Sequence, residues 1–245
     1  MFDNFFKTEL SGEVISSLIV MAIIMVLAVI VGIQANHHDP LKKPKGLLLI
    51  AELGVKFFDN FVEGLIGNSI PGFGGVIMAL AVYLFCAFIF GLTGLPSPVT
   101  YMAVPLSLGL TSFLGIHIIS AKHTKWKYFK RYVDPIPLFL PINLISMWAP
   151  LLSLTLRLFG NAISGATLMS IIYYMLEQVS GNLFGFITAQ FPDGGSVASV
   201  ILPPFITPVF HAYFDLFSAF IQVTVFISLT TILIGQEVPE EEGNL

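Results

Sequence analysis

LLSLTLRLFGNAISG, residues 151–165, places a single arginine near the middle of an apolar segment that runs from about Pro141 to Leu176. An arginine at the centre of a membrane-spanning helix costs about 2.5 to 3.5 kcal/mol on insertion scales, so it normally faces a protein interior or a water-filled path. Arg157 is the only Lys or Arg inside any hydrophobic segment of this chain. We therefore expect Arg157 to be a functional residue.

The composition is that of an integral membrane protein. Of the 245 residues, 56% are hydrophobic and 11% are charged, whereas about 25% charged residues is typical of soluble globular domains. The net charge of −4 carries less information than the position of each charge. The single cysteine, Cys86, excludes an internal disulfide, and we interpret it as a packing residue in an apolar run.

Apolar segments of membrane-spanning length recur along the chain. About 20 apolar residues are enough to cross ~30 Å of hydrocarbon, and the last two segments are far longer than that, so they must tilt strongly or break. The sequence predicts an all-α integral membrane protein with five transmembrane helices, of which the last two are overlong and strongly tilted. The predicted spans are residues 14–33, 76–92, 101–120, 141–176 and 197–235.

Residues 47–66 differ from these spans because charges recur within an apolar pattern. Four charged residues lie three or four positions apart, which places them on one face of a helix. Crossing the membrane would bury all four, so the pattern favours one amphipathic helix lying at the interface. These residues are Glu52, Lys56, Asp59 and Glu63.

Basic residues indicate the orientation of a single membrane domain, residues 1–245. The loop at 121–140 carries five Lys or Arg residues among aromatic residues, while the loops at 93–100 and 177–196 carry none. In a soluble protein such a cluster could bind nucleic acid, but between two spans it indicates a cytoplasmic loop. This rule predicts a multi-pass cell-membrane protein with residues 1–13 outside and the acidic tail, 236–245, in the cytoplasm.

Polar residues form a stripe on each of the last two segments. His211, Asp215, Ser218 and Gln222 recur at intervals of four, three and four, on one side of a helix. One interpretation is structural, with an ion pair between Arg157 and Asp215 holding the helices together. The other is a proton path, in which Asp215 exchanges protons while the guanidinium stays charged. The stripe around Arg157 comprises Ser153, Asn161 and Ser164, with Gly160 and Gly165 allowing close approach of another helix.

The remaining histidines do not predict a metal site, and no cofactor is predicted. His37 and His38 are adjacent, so they point to different sides and lack a third ligand at helical spacing. His117 lies near the end of the third span, where a structural, hydrogen-bonded role is the better interpretation.

Residues 150–165, PLLSLTLRLFGNAISG, resemble the hallmark of the membrane subunit a of F-type ATP synthases. FIQVTVFISLTTILI, residues 220–234, resembles the end of the last helix in that family. The resemblance covers essentially the whole chain, including the amphipathic helix and the hairpin GLTGLPSPVTYMAVPLSLGL, residues 91–110.

The resemblance implies roles for individual residues. Arg157 matches the essential arginine, Asn161 the asparagine of the same motif, and Gln222 the glutamine that faces it from the last helix. Asp215 falls where relatives carry His or Glu in the proton path, with His211 one turn earlier as a helper. Some relatives carry a glutamate nine residues after the arginine, where this chain has Ala166.

The resemblance also implies a function: a non-catalytic stator subunit of the ATP synthase Fo sector. Such a subunit provides two offset half-channels that pass protons to and from a rotating ring of small hairpin c subunits. Other implied partners are the peripheral-stalk b subunits and the lipid bilayer, with no nucleic acid. The alternatives are a secondary transporter that docks a substrate carboxylate on Arg157, which lacks support from an inverted repeat, and a structural membrane scaffold.

Overall fold

The structure is a computed structural model that describes residues 11–39, 43–66, 72–124, 140–187, 189–191 and 196–236. Over these ranges the chain is helical, apart from turns and one isolated β-bridge between Gln190 and Ser196. The prediction of an all-α protein is confirmed. The α-helices are α1 (Gly12–His37), α2 (Leu47–Ile66), α3 (Phe73–Ile89), α4 (Ala103–Thr124), α5 (Leu140–Leu183), α6 (Val197–Val200), α7 (Pro203–His211) and α8 (Ser218–Gly235).

Membrane-length apolar helices dominate this architecture, so the protein is an integral membrane protein. The third predicted span, 101–120, corresponds to α4, whose apolar part, Ala103–Ile119, is shorter than the others. Glycine and hydroxyl side chains in α4 lower its hydropathy below that of α1 and α3. Within the described ranges, the segments long and apolar enough to cross a membrane are Gly12–His37, Phe73–Thr93, Trp148–Leu183 and Val197–Gly235.

The predicted amphipathic helix is α2, and its bounds, Leu47 and Ile66, are those expected from the sequence. On its charged face, Lys56 Nζ donates to Glu52 Oε1 across 2.5 Å, an i,i+4 pair exposed on the surface. Such exposed pairs stabilise a helix only slightly, about 0.2 to 0.5 kcal/mol, so this face is charged for reasons of solvation rather than stability. The position of α2 at a membrane surface remains a prediction.

The core lies where α3 packs against α2 and α8. Ile77 and Leu84 of α3 are fully buried there, and Phe226 of α8 is 2% exposed. Gly74 allows α3 to approach the backbone of Asp59 in α2, because a Cβ at that position would collide with it. Lipid tails are as apolar as leucine, so close packing of this kind, rather than exclusion of water, stabilises helix association in a membrane.

Helix α5 runs unbroken for 44 residues, with Pro150 inside it. At ~1.5 Å per residue it is about 66 Å long, roughly twice the ~30 Å thickness of the hydrocarbon core. The sequence predicts that this segment either tilts or breaks. Because the helix is continuous, tilting is the alternative that remains. Its inclination to a membrane remains a prediction.

The prediction that a loop begins at Glu177 is wrong, because α5 continues to Leu183. The reason lies in Ser180, which is fully buried. Its hydroxyl donates to the carbonyl of Ala198 across 2.5 Å and accepts from the backbone N–H of Leu202 across 3.1 Å. These contacts pin the last turns of α5 to the beginning of the final segment, which local sequence does not reveal.

The final segment is divided into four parts, α6, α7, a π-helical turn and α8. The chain turns after α6, and α7 begins with Pro203 and Pro204, whose missing N–H groups are tolerated in a first helical turn. Pro208 lies inside α7. A π-helical turn, Ala212–Phe217, then connects α7 to α8.

Some predicted features lie outside the described residues. They include residues 1–10 of the outer tail, most of the basic loop and residues 237–245 of the acidic tail. Because these segments carry the charges that indicate orientation, the predicted orientation is not tested by the fold.

Candidate functional site

Two adjoining cavities lie between α5 and the final segment. The first cavity, about 280 Å³, is also bounded by the hairpin that joins α3 to α4, through residues such as Ser97 and Thr100. The second cavity, about 240 Å³, lies between α5 and the beginning of α8. Asn161, Gly165 and Phe214 line both cavities and therefore form the boundary between them.

The π-helical turn distributes the predicted polar stripe between these cavities. His211 and Asp215 line the first cavity, whereas Ser218 and Gln222 line the second. A π-helical turn closes hydrogen bonds between residues i and i+5, so it interrupts the α-helical register that the spacing assumed. π-Bulges occur frequently at functional sites. The stripe is therefore two groups rather than one continuous face.

A chain of three hydrogen-bonded side chains borders the first cavity. The Tyr173 hydroxyl lies 2.7 Å from His211 Nε2, and His211 Nδ1 lies 2.5 Å from Asp215 Oδ2. The His211 and Asp215 side chains are 29% and 25% exposed, so both are half-buried and still reach the cavity. His211 and Asp215 follow from the sequence, whereas Tyr173 does not.

Helical spacing indicates that Tyr173 lies on the cavity side of α5, once the residues lining the first cavity are known. Ala162, Ala166 and Met169 line that cavity, and Tyr173 continues the same intervals of four, three and four along α5. Ala166 contributes only a methyl group to the cavity wall.

Arg157 lies on the exposed side of α5. Its neighbours Leu154 and Leu158 are 2% and 1% exposed and pack against the core, whereas Arg157 itself lies outside the core. Within the described part of the chain, no carboxylate lies close enough to Arg157 to form a salt bridge. Asp215 pairs with His211 instead, so the interpretation of an ion pair between Arg157 and Asp215 is wrong.

The surface around Arg157 is open and polar. Ser153, Gly160, Asn161 and Ser164 are all exposed. The Ser164 hydroxyl donates to the Gly160 carbonyl across 2.7 Å, which satisfies it within its own helix. A Cβ placed at Gly160 would meet nothing within 4 Å, so the described part of this chain supplies no helix that uses the small side chain for close approach.

Gln222 is the most buried polar group of the second cavity, at 5% exposure. Its Oε1 atom has no hydrogen-bond partner among the residues that the structure describes. A buried acceptor left without a donor costs about 1 to 3 kcal/mol. This oxygen can accept a hydrogen bond from a donor beyond the described residues.

The other histidine of the apolar segments packs as an aromatic residue. The His117 ring lies 4.0 Å from the ring of Phe113, which in turn stacks on Trp148 at 5.1 Å between centroids. In the described ranges, no group of three or more His, Cys, Asp or Glu side chains has a metal-binding arrangement. The Tyr, His, Asp and Arg side chains of the site can transfer protons and stabilise charge.

Comparisons with known proteins point to one family. The family model described as ATP synthase A chain matches residues 14–235. The chain is 30% identical over 242 residues to ATP synthase subunit a of Mycoplasmoides gallisepticum, covering 91% of this chain and 79% of that protein. It is 26% identical to the subunit a of Mycoplasma pneumoniae over 232 residues, covering 90% and 76%. It is also 29% identical to the subunit a of Limosilactobacillus reuteri over 250 residues, covering 98% and 97%.

Proposed function

This chain belongs to the ATP synthase A chain family, and from that premise we propose how its described residues take part in proton translocation. The protein is a multi-pass membrane subunit of the Fo sector that is not itself catalytic. Our proposal is that it acts as the stator, passing protons through two offset half-channels to and from a ring of small hairpin c subunits. This function is favoured over the secondary transporter and the structural scaffold by the family match.

The observation that carries the proposal is the isolated charge of Arg157. The guanidinium lies on an exposed side of α5, and among described residues it has no acidic partner. A guanidinium keeps its charge under all physiological conditions, and leaving it unpaired in hydrocarbon is costly. We propose that its counter-charge comes from another chain, as a carboxylate on each passing ring hairpin.

The charge of Arg157 would release protons from the ring. A nearby positive charge favours the ionised form of a carboxylic acid. Each protonated ring hairpin that approaches Arg157 would therefore give up its proton and continue only in the charged form. The same fixed cation repels protons, so it would block a direct leak between the half-channels.

The first cavity supports the uptake half-channel. It extends from the hairpin between α3 and α4 to His211 and Asp215, and a volume of about 280 Å³ is enough for several water molecules. The hairpin side is the outer side in the predicted orientation. Protons would reach Asp215 through this cavity and then cross the boundary at Asn161 towards the ring.

The second cavity supports the proposed site at which protons are transferred to the ring. Its wall combines Ser164, Ser218 and Gln222, whose Oε1 atom has no partner among the described residues, on the same side of the molecule as Asn161. These neutral groups can hydrogen-bond a carboxyl group in either protonation state.

One proton crossing 100 mV contributes ~2.3 kcal/mol, so several protons must be combined for each ATP. The peripheral-stalk b subunits are proposed to hold this chain still while the ring turns.

Replacement of Arg157 by alanine tests the function. We expect ATP synthesis driven by an imposed proton gradient to fall by about a hundredfold or more, since the main charge interaction with the ring is removed. The intact complex should still assemble, as measured by native gel electrophoresis. The matched control is Lys56→Ala, which removes an exposed cation from α2. Normal ATP synthesis by an assembled Arg157→Ala complex would refute the proposal.

A further inference from the structure

We propose that Tyr173 is a positioning residue for proton uptake, whose hydroxyl holds the imidazole of His211 with Nδ1 directed at Asp215. This inference rests on the proposed function and adds a residue to its uptake path. Tyr173 itself does not line the first cavity, so it acts through His211.

The geometry supports an anchoring contact between two separate helices. The Tyr173 hydroxyl on α5 lies 2.7 Å from Nε2 of His211, the last residue of α7, and the two residues are 38 positions apart in the sequence. The ring centroids are 5.8 Å apart and inclined by 54°, so the hydroxyl contacts the edge of the imidazole while the rings do not stack. On the opposite edge, Nδ1 lies 2.5 Å from Asp215 Oδ2.

A hydroxyl suits this position because it can donate or accept. With neutral His211 protonated on Nδ1, the Tyr173 hydroxyl donates to Nε2 and the Nδ1–H donates to the carboxylate of Asp215. When the imidazole takes up a second proton, it becomes an imidazolium and the hydroxyl turns to accept from the Nε2–H. Transfer of the Nδ1 proton to Asp215 Oδ2 then leaves the ring neutral, and one proton has moved from His211 to Asp215.

Few other ionisable groups surround this chain of side chains. His211 and Asp215 are the ionisable residues in the lining of the first cavity. On α5, Glu177 lies one turn beyond Tyr173 and is exposed, and the wall position nearer Arg157 is Ala166. Beside His211, α5 therefore contributes the Tyr173 hydroxyl to proton uptake.

The test compares two neighbouring tyrosines. Tyr173→Phe removes only the hydroxyl, while Tyr174→Phe removes one from a side chain that is 63% exposed on the same helix. Both variants are assembled into the complete membrane sector in liposomes, and proton flux is driven by a potassium-diffusion potential. We expect flux to fall about three- to tenfold in Tyr173→Phe, the loss of one hydrogen bond, and to be unchanged in Tyr174→Phe.

Two further measurements distinguish a role of Tyr173 in positioning His211 from a role in packing alone. The outer pH at half-maximal flux should move to lower values by about 0.5 to 1 unit in Tyr173→Phe, because the lost bond is stronger to the imidazolium than to the neutral ring. In a His211→Gln background, Tyr173→Phe should have no further effect on flux. The inference would be overturned if Tyr173→Phe had the same flux and pH dependence as wild type. It would also be overturned if Tyr173→Phe lowered flux as much in the His211→Gln background as in the wild-type background. Absence of flux through the wild-type sector would instead contradict the proposed function.

Discussion

The first and second cavities adjoin each other, yet they differ in how their polar groups are satisfied. In the first, His211 is hydrogen-bonded at both ring nitrogens, to Tyr173 and to Asp215. Beside the second, the described residues provide no acidic partner for Arg157 and no donor for Gln222 Oε1. The described residues satisfy the polar groups of the first region, and they do not satisfy those of the second.

This difference indicates which part of proton transfer belongs to the subunit alone. Buried polar groups without partners are costly, so a folded chain retains them mainly where a further molecule completes the site. The completed network fits a relay that works identically for every proton. The incomplete surface fits a contact that is made and broken as successive ring hairpins pass.

Replacing Asp215 by asparagine should have the largest effect on the completed network. The amide retains the shape and hydrogen bonding of the side chain but cannot carry a proton, so we expect passive proton flux to fall about a hundredfold. Glu63→Gln, an exposed substitution on α2, is the control. Unchanged flux in Asp215→Asn would remove this residue from the path.

A smaller effect is expected at the incomplete surface, from Gln222→Leu. The leucine removes a buried carbonyl oxygen that has no donor among the described residues, so the subunit should be no less stable, while ATP synthesis falls about tenfold through loss of a contact to the ring. Thermal unfolding of the subunit and the rate of ATP synthesis are measured on the same preparation. A loss of stability without a loss of synthesis would mean that Gln222 is structural.

Gly109→Ala probes the packing that holds Arg157 in place. A Cβ at Gly109 would collide with Thr155, which is 1% exposed on α5 two residues before Arg157. We expect a destabilisation of about 1 to 3 kcal/mol from this overpacking, with a severalfold lower yield of assembled complex. Gly64→Ala on α2, where an added Cβ meets nothing within 4 Å, should have little effect. Equal yields from the two variants would show that α4 and α5 can separate without consequence.

The smallest effect should come from Ser180→Ala, which releases the end of α5 nearest Tyr173. Loss of the hydrogen bonds to Ala198 and Leu202 should weaken the anchoring by about 1 to 2 kcal/mol. Amide hydrogen exchange should accelerate about tenfold in residues 181–183, with no change around Arg157. Uniform acceleration along α5 would contradict a local anchor.

The sequence predicts the charged parts of this site well for an energetic reason. Arg157 and Asp215 stand out because ionisable groups inside apolar segments are costly and therefore informative. Tyr173 does not stand out, because a tyrosine in a membrane helix has no comparable cost and its partner His211 is distant in sequence.

The missed features of the fold have a similar origin. The π-helical turn at Ala212–Phe217 is invisible to spacing arithmetic, which assumes a regular helix throughout. The extension of α5 past Glu177 depends on Ser180 contacting residues 18 and 22 positions away. Local periodicity contains no information about either contact, so the end of α5 is set by tertiary structure.

Disulfide cross-linking tests whether the counter-charge of Arg157 belongs to a moving neighbour, as proposed above. Gly160→Cys, in a Cys86→Ser background, places a thiol one turn from Arg157 on the open surface of α5. Paired with a cysteine beside the buried carboxylate of the c subunit, it should form a cross-link whose c-subunit partner changes after ATP-driven rotation. The same experiment with Gly64→Cys on α2 is the control. A cross-link confined to the control position, or one whose partner never changes with rotation, would contradict the account.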